Sequence, residues 1–456
     1  MNSPLLEYIE KTTYSDLSDR QIEFATHFLI DYLGVTLGGS DETPCKLIQQ
    51  VAENQGKEGH ATVFGTGLKL NAASAALCNG IASHVLDWDD AYTNGFCHLG
   101  SFIFSPALAL AEDEDVTFED FITAVCIAYE AGIRIADLQV VQGNAEKNFA
   151  KGMNISATIG TVTGTIASAK LLKLPAHQID NAIGLAVNMS SGVLKGLVET
   201  DVDYIFGYHH AWGSHGAVMA ALVAKTGFEA DKQALFGRYG YLHVFGAHPE
   251  HAESVDELDF TEDLIGKSSL KRHPACAFVL NPLTALFECV SDNGIDFSDI
   301  THCDFSLNEI SYYESGVPRD VHDVPGSSET ARLSIQFCVA SAILDGQFDL
   351  ESTSPAALSD PRKKALSKSI GLEIDKEMSD AYRDDYPVRI RLGLKNGQTY
   401  EHFSQYYKGY YLHPMTDEEV ALKYLDATQK FGHAQELLTA IRKATGASVR
   451  EILSVC

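Results

Sequence analysis

The sequence predicts a mainly α protein with a large helical part and a smaller α+β part. Three observations predict it. Apolar residues from Ser18 to about Leu222 recur at intervals of three and four, the residues after Ser268 change to period-two alternation, and helical spacing returns between Met415 and Val455. With 456 residues the chain exceeds what one simple core organises, so two domains are expected. The expected division is a discontinuous helical domain, 1–267 with 406–456, and an α+β domain, 268–405.

Each element rests on its own pattern. Ile22, Phe24, Phe28, Leu29 and Leu33 trace one apolar helix face, and Ala72 to Ala82 and Phe121 to Ile135 trace others. Ile155–Leu172 (ISATIGTVTGTIASAKLL) is small or apolar on every side, so it belongs among other helices, where Gly, Ala, Ser and Thr permit close approach. In the second part, Asp304–Tyr313 and Val388–Leu394 alternate as strands. Lys395-Asn396-Gly397 reads as a tight turn leading into a return strand at Gln398–Phe403. Helical patterns occupy Thr330–Leu344 and Pro361–Ser369.

Apolar residues make up 45% of the chain and charged residues 21%, an ordinary soluble composition. The formal net charge of −28 argues against nucleic acid or an anionic membrane as partner, since both attract basic surface. The N-terminal residues lack the pattern of a secretory signal, and no apolar run reaches about eighteen residues. Nine dispersed cysteines without a CxxC pair read as reduced thiols, which places the protein in the cytoplasm.

The segment richest in chemistry is Asn79–Ser101, NGIASHVLDWDDAYTNGFCHLGS. It carries Asp87, Asp89, Asp90, His84, His98, Tyr92 and Cys97. A helix over 79–90 would place Ser83, Asp87, Asp90 and Ala91 on one face. Ser101 reads as the N-cap of an apolar helix over Phe102–Ala111, which puts His98 at a positive helix end suited to a carboxylate. A bare D-x-D-D also fits a hard cation, but no second acidic cluster accompanies it, and no metal is expected.

These residues resemble the MmgE/PrpD family, which includes 2-methylcitrate dehydratase, cis-aconitate decarboxylase and iminodisuccinate epimerase. The resemblance starts at NGIASHVLDWDDAY and HLGSFIFSPALALAE. It continues, in order, through KGMNISATIGTVTGTIASAKLLKL, HHAWGSHGAVMAALVAKTGF, LKRHPACAFVLNPLTAL, ETARLSIQFCVASAILDG and PMTDEEVALKYLDA, and so covers essentially the whole chain. It implies a large all-helical domain, a smaller α+β lid, a site in the cleft between them, and a homodimer.

The resemblance also implies the chemistry: removal of a proton or carboxylate next to a carboxylate of a small organic acid, without a cofactor, as dehydratase, decarboxylase or epimerase. Asp87, His98 and Lys271 match functional positions of the family, and Cys276 stands where members carry histidine or cysteine. His98 is the leading proton-transfer residue, because imidazole titrates near neutral pH. Lys271 would hold a carboxylate, Asp87 would orient a neighbour, and Cys276 would shuttle protons if Lys271 lowers its pKa. Tyr92, Asn154, His210, Arg272 and Arg332 are the candidate substrate-binding residues.

Four positions depart from the family pattern. Ala91 replaces a threonine, Asn154 a histidine and Phe337 a tyrosine, and a lysine before the His209-His210 block is absent where Asp201 and Asp203 appear. A less positive site points to a substrate with fewer carboxylates than 2-methylcitrate or cis-aconitate, or with an amine. Two other readings stay open: a binding protein that has lost catalysis, and a metal-dependent enzyme using Asp87 and Asp90.

Overall fold

The structure is a computed structural model and describes residues 3–55, 59–140, 151–195, 205, 207–246, 258–316, 325–381 and 385–456. Asp201 and Asp203 lie outside the described residues. The architecture is mainly α, with a smaller α+β part.

The first hydrophobic core packs long helices around buried, nearly featureless sequence. Helix Ile155–Leu171 is buried along almost its whole length, as an all-round apolar pattern requires. Its small residues serve close packing: a Cβ on Gly160 would lie 2.2 Å from the Phe102 ring. Helices Asp19–Gly39, Ala72–His84, Gly100–Asp113, Phe118–Val140 and Tyr208–Lys225 contribute to the same core. So do Met415, Val420, Tyr424, Leu437 and Ile441 from the C-terminal helices.

A second core gathers Ala275 to Tyr410. Its four-stranded sheet runs, in spatial order, Gly371–Ile374, Ile300–Leu307, Val388–Leu394, Thr399–Ser404; the first pair is parallel and the others antiparallel. The hairpin turns at Gly397, whose φ of +83° suits glycine. Helices Ala277–Asn293 and Ile335–Asp345 add Leu280, Leu283 and Val339 beneath Phe305, Ile390 and Leu392. No described helix is long and apolar enough to cross a membrane.

Four local expectations are corrected. The strand expected over Asp304–Tyr313 is Ile300–Leu307, because Asn308 accepts from the Ser311 amide at 3.2 Å and caps a helical turn. The helix expected over Thr330–Leu344 divides into Ser328–Arg332 and Ile335–Asp345, with Ser334 capping the second. The helix expected over 79–90 ends at His84, and Asp87 adopts a left-handed φ of 51°. Ser101 lies inside its helix; Leu99 holds the cap position, and the Gly100 amide is satisfied by Asp90 Oδ1 at 3.0 Å instead.

Candidate active site

The site is built on the end of helix Ala72–His84. The buried chain that leaves this helix, Val85 to Trp88, carries carbonyls outside the helix ladder, and buried carbonyls need donors. Three cations from distant segments supply them: Arg332 Nη1 reaches Val85 O at 3.1 Å, Lys271 Nζ reaches Asp87 O at 2.9 Å, and Lys423 Nζ reaches Trp88 O at 2.7 Å. Positive charge at a helix C-terminus is also favoured by the macrodipole. Trp88 is fixed further by its indole N–H, which donates to Lys271 O at 3.0 Å.

The three carboxylates that follow are sent to three different partners, so Asp87 and Asp90 do not assemble a shared cation site. Asp87 forms a buried ion pair with Lys271. Asp89 accepts from His84 Nδ1 at 3.0 Å and lies 3.3 Å from His98 Nδ1. Asp90 receives Gly100 N, Tyr129 Oη at 2.9 Å and Ser268 Oγ at 3.0 Å. Burial, with Asp89 and Asp31 nearby, pushes the Asp90 pKa up to about 7.

His98 lies before helix Gly100–Asp113, with Nδ1 2.9 Å from Asp90 O and its backbone amide bonded to Ser156 Oγ at 3.1 Å. Its side chain keeps 22% exposure, against 5% for His84 and 2% for Asp89. Burial alone would lower its pKa, but the Asp89 carboxylate and Asp87 outweigh burial and the Lys271 charge, and the net shift is upward from 6.5. For Lys271, the acids Asp87 and Asp89 overcome burial, so its ammonium form is favoured. Cys276 is partly exposed at the start of helix Ala277–Asn293, within electrostatic reach of Lys271. The sequence-predicted Asp87, His98, Lys271 and Cys276 are thus drawn from distant segments into one neighbourhood.

The candidate binding residues separate. Tyr92 is buried and bonded to Asp137. Asn154 caps helix Ile155–Leu171 through the Ala157 amide. His210 is buried, stacked on His84 at 3.7 Å and against Phe102 at 4.4 Å, and burial holds its pKa well below 6.5. Arg332 and Arg272 line a groove of about 1350 Å³ that also meets Val85, Leu86 and Trp88. This groove lies against the same chain segment, but its lining does not include His98 or Lys271; the chemistry, not the volume, marks the site. Cys97 is sealed, and burial pushes its thiol well above its ordinary range.

His84, Asp89 and His210 place potential ligand atoms within 4.8 Å of one another. The two rings are stacked at 24°, so an ion between their nitrogens would sit well out of both ring planes, off the lone pairs. The set does not fit a metal. Sequence reasoning noted His84 and Asp89 without giving them a role, and did not single out Lys423. The first two were visible as a histidine five residues before an aspartate; Lys423 had no local signal.

The MmgE/PrpD N-terminal domain matches residues 3–254 and the MmgE/PrpD C-terminal domain matches 273–445, and the chain belongs to the MmgE/PrpD family. It is similar to the cis-aconitate decarboxylase-like protein oryM of Aspergillus oryzae, at 22% identity over all of this chain and 97% of that protein. It is also similar to cis-aconitate decarboxylase of Aspergillus terreus (23%, over 93% of this chain and 88% of the relative). Cis-aconitate decarboxylase of Mus musculus is 21% identical, over 94% and 87%.

Proposed function

We propose that this protein is a cofactor-independent lyase or isomerase that moves a proton next to a carboxylate of a small organic acid. The observation that carries the reading is His98, the partly exposed imidazole of a buried cluster, with Nδ1 engaged inward and Nε2 left to meet a ligand. Lys271 is the neighbouring cation, kept charged and held in place by Asp87. A carbanion formed beside a carboxylate spreads its charge onto the carboxylate oxygens, and a fixed ammonium stabilises that charge. His98 then takes the proton in epimerisation or elimination, or gives one to the carbon after carbon dioxide leaves.

The names of the relatives favour decarboxylation or a related elimination. The local residues favour a substrate other than cis-aconitate or 2-methylcitrate. Ala91 and Phe337 bring no hydroxyl, Asn154 is used as a helix cap, and Asp87 and Asp89 offset the charges of Lys271 and His98. The same reading takes 268–405 as a lid over 1–267 and 406–456, in a cytoplasmic homodimer.

The test is incubation of the purified protein with small hydroxy-, amino- and unsaturated dicarboxylic acids, cis-aconitate and 2-methylcitrate in deuterium oxide, followed by NMR. We expect deuterium incorporation or product from one of the smaller acids, lost in His98→Asn. Robust turnover of cis-aconitate or 2-methylcitrate would overturn the altered substrate. Tight binding of an acid without exchange or product would replace the enzyme with a binding protein.

A further inference from the structure

Three imidazoles meet in one buried place from three separate elements: His84 ends its helix, His98 precedes the next, and His210 opens the Tyr208–Lys225 helix. Between the first two lies one carboxylate. Both oxygens of Asp89 are 3.0 Å from His84 Nδ1, and Oδ2 is 3.3 Å from His98 Nδ1. His210 stacks flat on His84, and neither of its nitrogens has a hydrogen-bond partner among the described residues.

We propose that Asp89 is a positioning residue whose carboxylate, shared between two imidazoles, fixes the orientation of His98 and makes it the one histidine of the cluster that carries charge. This rests on the role given to His98 above. The geometry sets the tautomer. Asp90 O accepts only, and Asp89 as a carboxylate accepts only, so His98 must present Nδ1–H to both, which leaves Nε2 toward the ligand. His84 meets the same carboxylate through Nδ1 and must also donate.

One carboxylate cannot support two adjacent imidazolium ions with centroids 4.7 Å apart. The surroundings decide which ring is charged. His98 faces Asp87, Asp89, Asp90 and Lys271 together with His84 and His210, and keeps access to solvent. His84 is sealed beneath His210, and burial lowers its pKa. Burial would raise the Asp89 carboxyl, but His84 and His98 hold it well below its ordinary value, so it stays ionised as the shared acceptor.

The experiment is NMR titration of the ligand-free protein with ¹⁵N-labelled histidine, His98 being assigned with His98→Asn. In the wild type we expect the Nδ1–H tautomer above the His98 midpoint and a midpoint above about 6.5. Asp89→Asn removes the charge but keeps the shape; the midpoint should fall by at least about one pH unit. His84→Asn removes the competitor and should raise it. In an active preparation, the limb of the pH–rate profile assigned to His98 should move with each variant. A purely structural Asp89 would lower the melting temperature and scale the rate without moving the midpoint. An unmoved midpoint in folded Asp89→Asn overturns the proposal, as does an unmoved midpoint in His84→Asn if Asp89→Asn fails to fold. The titration reads Asp89 even if no organic acid is turned over, so failure here and failure of the proposed activity remain distinct.

Discussion

Two buried lysine–aspartate pairs flank Trp88, and they behave differently. Lys271 pairs with Asp87 and Lys423 with Asp31, each lysine also donating to a backbone carbonyl of the 87–88 stretch. Around Lys271, Asp87 and Asp89 together overcome burial and favour the charged form. Around Lys423, burial outweighs Asp31 and lowers the lysine pKa, while Asp31 is pushed up to about 6. The difference fits the proposed role of Lys271, a cation kept charged, beside Lys423, a cation that packs against a ring. Extra negative charge and a partly exposed imidazole accompany the first; the Trp88 ring accompanies the second.

The largest expected effect breaks that comparison directly. Lys271→Met should lower turnover on the order of 10²–10³-fold, as loss of a charge-stabilising donor does. It should also cost about 3–5 kcal/mol by leaving Asp87 buried and unpaired. Adding Asp87→Asn should restore much of the stability, read by urea unfolding, without restoring turnover. Lys423→Met should cost a similar roughly 3–5 kcal/mol in the same unfolding assay while turnover per folded molecule stays within a few-fold. A large catalytic loss in Lys423→Met would erase the distinction.

A smaller effect is pH-dependent. The folded-state pKa of Asp90 lies near 7, above the ordinary 3.8, so the folded chain holds an extra proton between those values. Its contribution is fully present below pH 3.8 and is lost as pH rises through about 7. Asp90→Asn can keep an acceptor for Gly100 N and donate to the Tyr129 and Ser268 hydroxyls. Unfolding at pH 8 should therefore show the variant unchanged or more stable by up to a few kcal/mol, with less decline between pH 4 and 8 than in the wild type. The smallest effect is that of Trp88→Phe. It removes the indole bond to Lys271 O and should cost about 1–3 kcal/mol in thermal unfolding, with little change in the lysines' titration.

Much of the helical scaffold was legible because helix periodicity is local. The Ile155–Leu171 helix and the Val388–Leu394 hairpin follow their patterns almost residue for residue. Asp87 and His98 were legible as chemistry because they fall in one dense stretch. Their geometry was not: a helix drawn through Asp87 put Asp87 and Asp90 on one face, whereas the chain turns left-handed and sends them apart. Ser101 looked like a cap because capping rules look only a few residues away and cannot see Asp90 folding back to the Gly100 amide from ten residues upstream.

The sequence by itself determined the mainly α class, the change of texture near Ser268, and a cluster of acids and imidazoles in one stretch. Tertiary structure decided which carboxylate meets which partner and where the cations go. Arg332, Lys271 and Lys423 arrive at the carbonyls of Val85, Asp87 and Trp88 from 247, 184 and 335 residues away. Side-chain periodicity reports only on neighbours within a few residues, whereas a buried charge is matched by whatever the folded chain brings beside it.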